Sequence, residues 1–504
     1  MEIESLKRLL KNTAAEHTHF VEQSQKSLSY YNNKTDITIR NGGESKVNND
    51  GADKDKGPLR RADYRVSSNF HQILVDQKAD YLASKAPKID TGIDATNKVI
   101  DQVLGDDFAA TLQELCVDAS NCGVAWLHVW HDDAANKIRY APIPPDQVIP
   151  LYAGDTDRTL LGVCRKYAQI DPEDGTQYTA IEYWDKTTVT TYRMDHGDYQ
   201  SLRLLKQFVL SDASTGNETG DPTAVLEHGM GEVPFIPFRN GKFEKPDLQK
   251  YKGHIDIYDQ VYNGFANDLA DVQQVILVLT NYGAQSLDEF MTELKDKKAV
   301  KLDSTMPDDK SGLTTLTIDI PTEARQAMLD LTFDDIFVYG QGVNPKQLSA
   351  GTNTTAVAIK MLYGQLELKA ATTETYFRQG VSRLVRMILR RSGVANADTC
   401  EITQTWTRSL ISNDLERADI ISKVADHTSR KALAQGNPLV EDAEQELKDQ
   451  DDDTEHEAEQ QALHPDPFSN LMGAQQAAHG AVDGSKDDDG DKSSPNRKKG
   501  VDDE

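Results

Sequence analysis

The alternation of apolar and polar positions changes character several times along this chain. The opening stretch, MEIESLKRLLKNTAAEH, is charged and helical from its start. Ser68–Leu82 places Phe70, Ile73, Leu74, Gln77 and Tyr81 on one face, which is helical spacing. Residues 124–131, 160–168 and 178–193 are instead rich in β-branched and aromatic side chains, and the last breaks at Asp185 and Lys186 as a hairpin does. Val124 to about Phe238 is therefore predicted to be antiparallel and β-rich, closed by VPFIPF. Helical periodicity returns at Tyr251, yields to strand-like stretches at Val300–Leu302 and Leu313–Ile320, and resumes at Thr322. The longest predicted helix, Thr355–Arg391, contains no proline and would span about 55 Å. Such a length suggests a strut inside an assembly.

Two predicted helices have unusual faces. On a wheel of about 100° per residue, Asp259, Asn263, Asn267 and Asp271 fall close to Asp256, with Tyr258, Val261, Tyr262, Phe265 and Leu269 opposite. In the second helix Asp330 and Asp334 share a line with Glu323, and Met328, Leu329, Leu331 and Ile336 supply most of the remaining surface. Taken alone, these are two ordinary surface helices.

Charge sharpens this picture. The 504 residues carry 55 Lys+Arg against 82 Asp+Glu, a net of -27, which is the wrong sign for gripping nucleic-acid phosphates over a broad surface. Glu441–Glu504 alone holds -14 of that. From about His464 the composition cannot bury enough apolar surface to offset ordering entropy, so a disordered acidic tail is predicted. A second loose stretch, Asn41–Pro58, sets an N-terminal helical arm apart from the body. No run of about 18 apolar residues suits a membrane span, and no apolar signal core opens the chain. Four cysteines at unrelated spacings indicate neither a disulfide framework nor a zinc knuckle, so a reducing, intracellular setting is expected.

Chemistry is mostly excluded. There is no GxxxxGK[ST], GxSxG or HExxH. The GQG at Gly340–Gly342 lacks a third glycine and follows a helix, which reads as a hinge. His128 and His131 would point to opposite faces of a strand, so they do not pair as metal ligands. The adjacent carboxylates of Pro307–Lys310 read as a solvated turn. No catalytic residue, cofactor site or metal site is predicted.

Three passages carry a family resemblance: SSNFHQILVDQKADYLASKAPKI (Ser67–Ile89), the most specific stretch from Gly231 to Tyr282, and LSAGTNTTAVAIKMLYGQLELKAATTE (Leu348–Glu374). With the order of elements, they make the chain from about Arg61 to Gln450 resemble the portal proteins of tailed double-stranded DNA phages. The match is closest to the roughly 500-residue type of long-tailed phages infecting Gram-positive hosts. The resemblance implies an α+β fold assembled as a ring, typically a dodecamer, at one capsid vertex. Its parts would be a 1–60 arm and linker, a 61–250 wing, a first stem helix at 251–272, and a clip at 273–321. They would continue as a second stem helix at 322–343, a tunnel loop at 344–354, a long wing helix at 355–395, a crown at 396–463 and a 464–504 tail. Implied partners are further copies of the chain, double-stranded DNA in transit, the terminase motor, major capsid and scaffolding proteins, and head-completion proteins; no membrane is involved. The implied location is the virion, with assembly in the host cytoplasm.

Within that frame Asp256, Asp259, Asn263, Asn267, Asp271, Glu323, Asp330 and Asp334 become expected channel-lining groups, because acidic walls withhold the neutralisation that makes DNA stick. Which helix lines the lumen stays open. Lys346, Ser349, Gly351, Thr352 and Asn353 become the DNA-proximal residues of a loop projecting into the channel. A terminase would need a P-loop and a metal-carboxylate site, which are absent. A scaffold or minor head protein without a DNA channel is the alternative.

Overall fold

The computed structural model describes residues 1–40, 43–44, 62–132, 135–172, 174–208, 221–272, 276–280, 312–316, 321–349, 360–409, 421–437, 440 and 443–463. The chain divides into two units, Met1–Leu410 and Ile411–Glu504. Apart from Gly43 and Glu44, the predicted linker at 41–58 lies outside the described residues, as do the tail from 464 and most of the predicted clip.

The first helix, α1 (Ile3–Tyr31), buries Leu6, Leu10, Ser24, Ser27 and Tyr30. Its N-terminal end packs Leu6 and Leu10 against Ile149, Cys164, Ile181 and Tyr192 of the larger sheet. Its C-terminal end packs Tyr30 with Phe70, Leu74 and Tyr251. The expectation of a detached arm is thus corrected, because this helix is part of the body's core. It is followed by a two-residue pairing of β1 (Ile39–Arg40) with β2 (Gly43–Glu44).

Next come α2 (Phe70–Ala83), β3 (Lys88–Asp90), α3 (Asp94–Leu104) and α4 (Phe108–Cys122). Gly123 ends α4 at φ +88, and a Cβ there would lie 2.1 Å from the Glu244 carbonyl oxygen, so only glycine fits. The strands β4 (Val124–Asp132), β5 (Lys137–Ile143), β6 (Val148–Tyr152), β7 (Leu160–Ile170), β8 (Gln177–Trp184), β9 (Thr188–Asp195), β10 (Arg203–Leu204), β11 (Val225–Glu227) and β12 (Phe235–Arg239) follow. They form two antiparallel sheets, β12-β4-β5 and β10-β9-β8-β7-β6, with β11 also on β9. The β8–β9 turn is held by Asp185, whose carboxylate accepts from the Thr187 and Thr188 amides at 2.8 and 2.7 Å.

Strand β4 is buried on both faces. Ala125, Leu127 and Val129 join the main helical core, while Val124 and Trp126 meet Val148, Val163 and Phe235. His128 on this strand hydrogen-bonds the Pro234 carbonyl at 3.0 Å and stacks near Phe235, so packing accounts for it.

The helices α5 (Lys252–Val272), α6 (Thr322–Gly340), α7 (Pro345–Ser349) and α8 (Gly364–Arg391) follow, with β13 (Ile276–Thr280) pairing β14 (Gly312–Leu316). Two expectations change here. Part of the expected loop is the short helix α7, and the long helix is continuous only from Gly364, after a break at Tyr363 that follows helical residues 360–362. Residues 396–409 also stay with the body, where β15 (Thr403–Thr405) pairs β3, although a crown was expected to begin at 396. The second unit contains α9 (Arg430–Gly436), N-capped by Ser429, and α10 (Ala443–Leu463).

Two buried polar clusters cross-tie the first unit. Lys78 Nζ on α2 reaches Asp247 at 3.2 Å and Ser120 at 2.9 Å, and also bonds Asn240. Lys369 Nζ on α8 reaches the same Asp247 at 3.1 Å and the Gly340 carbonyl at the end of α6 at 2.9 Å. The second cluster centres on His71. Asn121 uses its amide nitrogen on the Val117 carbonyl, so its oxygen accepts from His71 Nε2 at 2.9 Å and Nδ1 is left to accept from Tyr251 at 2.7 Å.

Burial pushes both His71 and His128 down to about 4. An unfolded histidine titrates near 6.5, so the folded state loses stability as pH falls from about 6.5 towards 4. Each histidine is expected to contribute roughly 2–3 kcal/mol of that loss by pH 4.5. Urea titrations at pH 7 and 4.5 will show it, and His71→Gln will flatten the difference. An unchanged pH dependence in that variant would refute the assignment.

Candidate functional site

The helix pair α5 and α6 forms a hairpin whose buried side packs on α2. Phe70 lies edge-on to Tyr258 at 4.9 Å and to Phe333 at 5.5 Å, and Phe337 completes the cluster. Arg325 on α6 pairs with Asp268 on α5, and His254 stacks on Tyr339 at 4.7 Å. The C-terminal end of α6 is anchored by Lys369 and by the Val343 amide, which donates to Gln77 at 2.9 Å.

The polar line on α5 has a use that sequence periodicity does not reveal. The Asn263 side chain accepts from the Val66 amide at 2.6 Å and donates to the Val66 carbonyl at 2.7 Å. Asn267 does the same for Tyr64 at 2.6 and 3.3 Å. Asp259 accepts from the Ser68 amide at 3.0 Å and the Thr35 hydroxyl at 2.6 Å. Residues 64, 66 and 68 therefore run antiparallel along 267, 263 and 259. The spacing works because four helical residues rise about 6 Å and two extended residues about 6.6 Å. Each side-chain amide imitates a neighbouring strand.

This arrangement corrects part of the channel-lining expectation. Asp259 and Asn263 are 1% and 2% exposed, covered by the chain's own segment. Burial raises the Asp259 carboxyl above its usual value. Asp256 bonds Lys252 at 2.6 Å and the Tyr30 hydroxyl, and Lys252 also reaches Asp36 at 2.7 Å. The α5 line is thus a seam inside the protomer.

On α6 the situation is opposite. Glu323, Asp330 and Asp334 are exposed. Asp330 is held below its usual carboxylate value by the Gln326 amide and by Lys346, whose Nζ lies 3.0 Å away. Lys346 also sits over the Phe333 ring at 4.1 Å, and Asp334 accepts from Asn344 at 2.7 Å. The base of α7 is therefore pinned to the acidic line. Gly351, Thr352 and Asn353 and the side chains of Asp271 and Ser349 lie outside the described residues. Among the described residues no group of His, Cys, Asp and Glu side chains could hold a metal ion, and no helix is long and apolar enough to cross a membrane.

A family model described as "Phage portal protein, SPP1 Gp6-like" matches residues 10–460. The chain belongs to the phage portal protein family. It is 35% identical over 461 residues to the portal protein of Clostridium phage phiCD119, covering 89% of this chain and 95% of the relative. It is 28% identical over 407 residues to the portal protein of Bacillus phage SPP1, covering 79% and 77%. Membership makes this a structural component of a phage particle and separates it from the scaffold and minor-head readings. A chain from the virion of a native gene transfer agent particle overlays at TM-score 0.39 and 10% identity, over 74% of this chain and 91% of that one, a likeness too slight to carry weight.

Proposed function

We propose that the chain assembles as a ring, a dodecamer, around a channel through which double-stranded DNA is packaged and ejected, with α6 lining the lumen. The observation that carries the choice of helix is the α5 seam. Its polar face is closed by residues 64–68, while Glu323, Asp330 and Asp334 stand exposed on α6. Acidic groups in that line repel phosphates and keep DNA from adhering. Exposed apolar side chains flank it: Leu331 and Val338 sit about 60–80° round the helix, and Ile257, Tyr262 and Leu269 are exposed on α5. Neighbouring copies cover these surfaces. The remaining parts keep the roles the family implies, with 273–321 docking terminase and later the head-completion proteins, and with capsid and scaffolding proteins as further partners.

In this reading Lys346 exchanges partners. At rest it pairs with Asp330; a passing phosphate takes it briefly, and Ser349, Gly351, Thr352 and Asn353 extend the same loop towards DNA. One such contact is modest and salt-dependent, as sliding requires. Negative-stain images of the purified chain are expected to show rings with a central hole, and Leu331→Asp with Val338→Asp to yield monomers. Asp330→Lys is expected to keep rings and package less DNA. Shells or monomers from the unaltered chain would overturn the proposal, and full packaging by Asp330→Lys would remove α6 from the lumen.

A further inference from the structure

A cavity of about 300 Å³ lies between α1, α4 and the proline-rich turn after β5, away from the helix pair. Its walls combine two chemistries. Leu28, Ile143, Pro142, Pro144 and Pro145 make an apolar lining, and Glu114, Asp118 and Asp146 bring three carboxylates. Glu114 and Asp118 sit one turn apart on α4, with side chains about 5–6 Å apart at Cβ, and Asp146 comes from the facing turn. Among the described residues none of the three carboxylates forms an ion pair. Burial, then the charges of Glu114 and Asp146, push the Asp118 carboxyl up to about 7. A second, independent feature points into the same space. Ser24 lines the cavity and is fully buried, yet apart from a weak interaction with the Cys122 thiol its hydroxyl has no hydrogen-bond partner. Buried hydroxyls are normally satisfied, so an oxygen left open beside three unpaired carboxylates marks a place for a donor.

From this geometry we infer a binding site for an aliphatic diamine, a molecule with two ammonium groups separated by a few methylenes. The carboxylates do not converge closely enough to cage a metal ion. A dication with spread charges meets Glu114 and Asp118 at one end and Asp146 at the other, while its methylenes lie on the proline and leucine walls. Ser24 Oγ accepts one further N–H. Such ammonium–carboxylate bonds are charge-assisted and partly desolvated, which favours organic cations over a hydrated ion whose water shell the apolar walls cannot replace.

The test is calorimetric titration of 1,4-diaminobutane into the full chain at pH 8, with magnesium chloride at matched ionic strength as the comparison. Saturable binding of the diamine is expected, with magnesium giving no comparable heat. Asp118→Asn is expected to weaken it at least tenfold, and Glu114→Gln, at an exposed position, by a smaller factor. Asp118→Asn removes a repelled, desolvated charge, so its thermal midpoint should equal or exceed that of the parent, and folding will not confound the result. No diamine binding, equal binding by Asp118→Asn, or equal displacement by magnesium would each overturn the assignment.

Discussion

Replacing Asp247 by Asn is expected to destabilise the first unit by about 3–5 kcal/mol, the scale on which removing one partner of a buried ion pair acts. Asp247 is the carboxylate shared by two buried ammonium groups, Lys78 and Lys369. The sharing is unequal in its consequences. Burial opposes the Asp247 charge, yet Lys369, Lys78, Lys250 and Asn240 together hold its carboxyl well below the usual range. Lys369 has only part of one charge to offset its burial, so its amine is pushed down to about 8. Without the carboxylate, two cations face each other at low dielectric, with Ser120, Asn240 and the Gly340 carbonyl as their remaining partners. Because native proteins are stable by only about 5–15 kcal/mol, this single change should produce a large drop in the urea midpoint. Adding Lys369→Met should restore part of the loss, since the double variant buries one unpaired cation where the single variant sets two against each other. If Asp247→Asn unfolds within error of the parent, the cluster is not a structural hub. If the double variant is no better than the single, the coupling between Asp247 and Lys369 is absent.

The hub also explains which parts of the fold were legible in the sequence. Strand alternation at residues 178–193 and the polar break at Asp185 are local signals, and β8 and β9 lie where those signals place them. The helical period from Tyr251 and from Thr322 is likewise met by α5 and α6. What sequence could not supply is who covers a polar face. Asp259, Asn263 and Asn267 have the spacing of a solvent-facing line, and nothing local says that residues 64–68, some 200 positions earlier, will lie on it. The same holds for Lys78 and Lys369: nothing beside either in the sequence announces the shared partner Asp247, which is remote from both along the chain. The expected start of the long helix at Thr355 lies outside the described residues, but its continuity differs for another reason. Absence of proline permits a helix but does not guarantee that it is unbroken, and Tyr363 interrupts it between residues 360–362 and Gly364. Gly351, Thr352 and Asn353 lie outside the described residues, so the tunnel-loop reading rests on family membership and on Lys346.

Asn263→Leu is expected to release the strap at residues 64–68 from α5 and to cost about 1–3 kcal/mol, because the Val66 N–H and carbonyl both lose the buried Asn263 amide as their partner. Leucine matches asparagine closely enough in size to leave α5 helical, so the effect should begin at the seam and not in the helix itself. Hydrogen exchange offers the sharpest readout. In the parent, the amides of Tyr64, Val66 and Ser68 donate to Asn267, Asn263 and Asp259 and should be protected in alternation along an extended segment. In Asn263→Leu the Val66 amide should lose protection first, and Tyr64 with it, while Ser68 keeps Asp259. Asn263→Asp retains an acceptor for the Val66 amide but sets oxygen against the Val66 carbonyl, so it should fall between the two. The strap leads directly into α2, where Phe70 packs on Tyr258, Phe333 and Phe337, so loosening it should also weaken the seating of α2 on the helix pair. Unchanged protection at Val66 in Asn263→Leu would show that the seam does not hold the strap, and would return the polar face of α5 to the candidates for a channel wall.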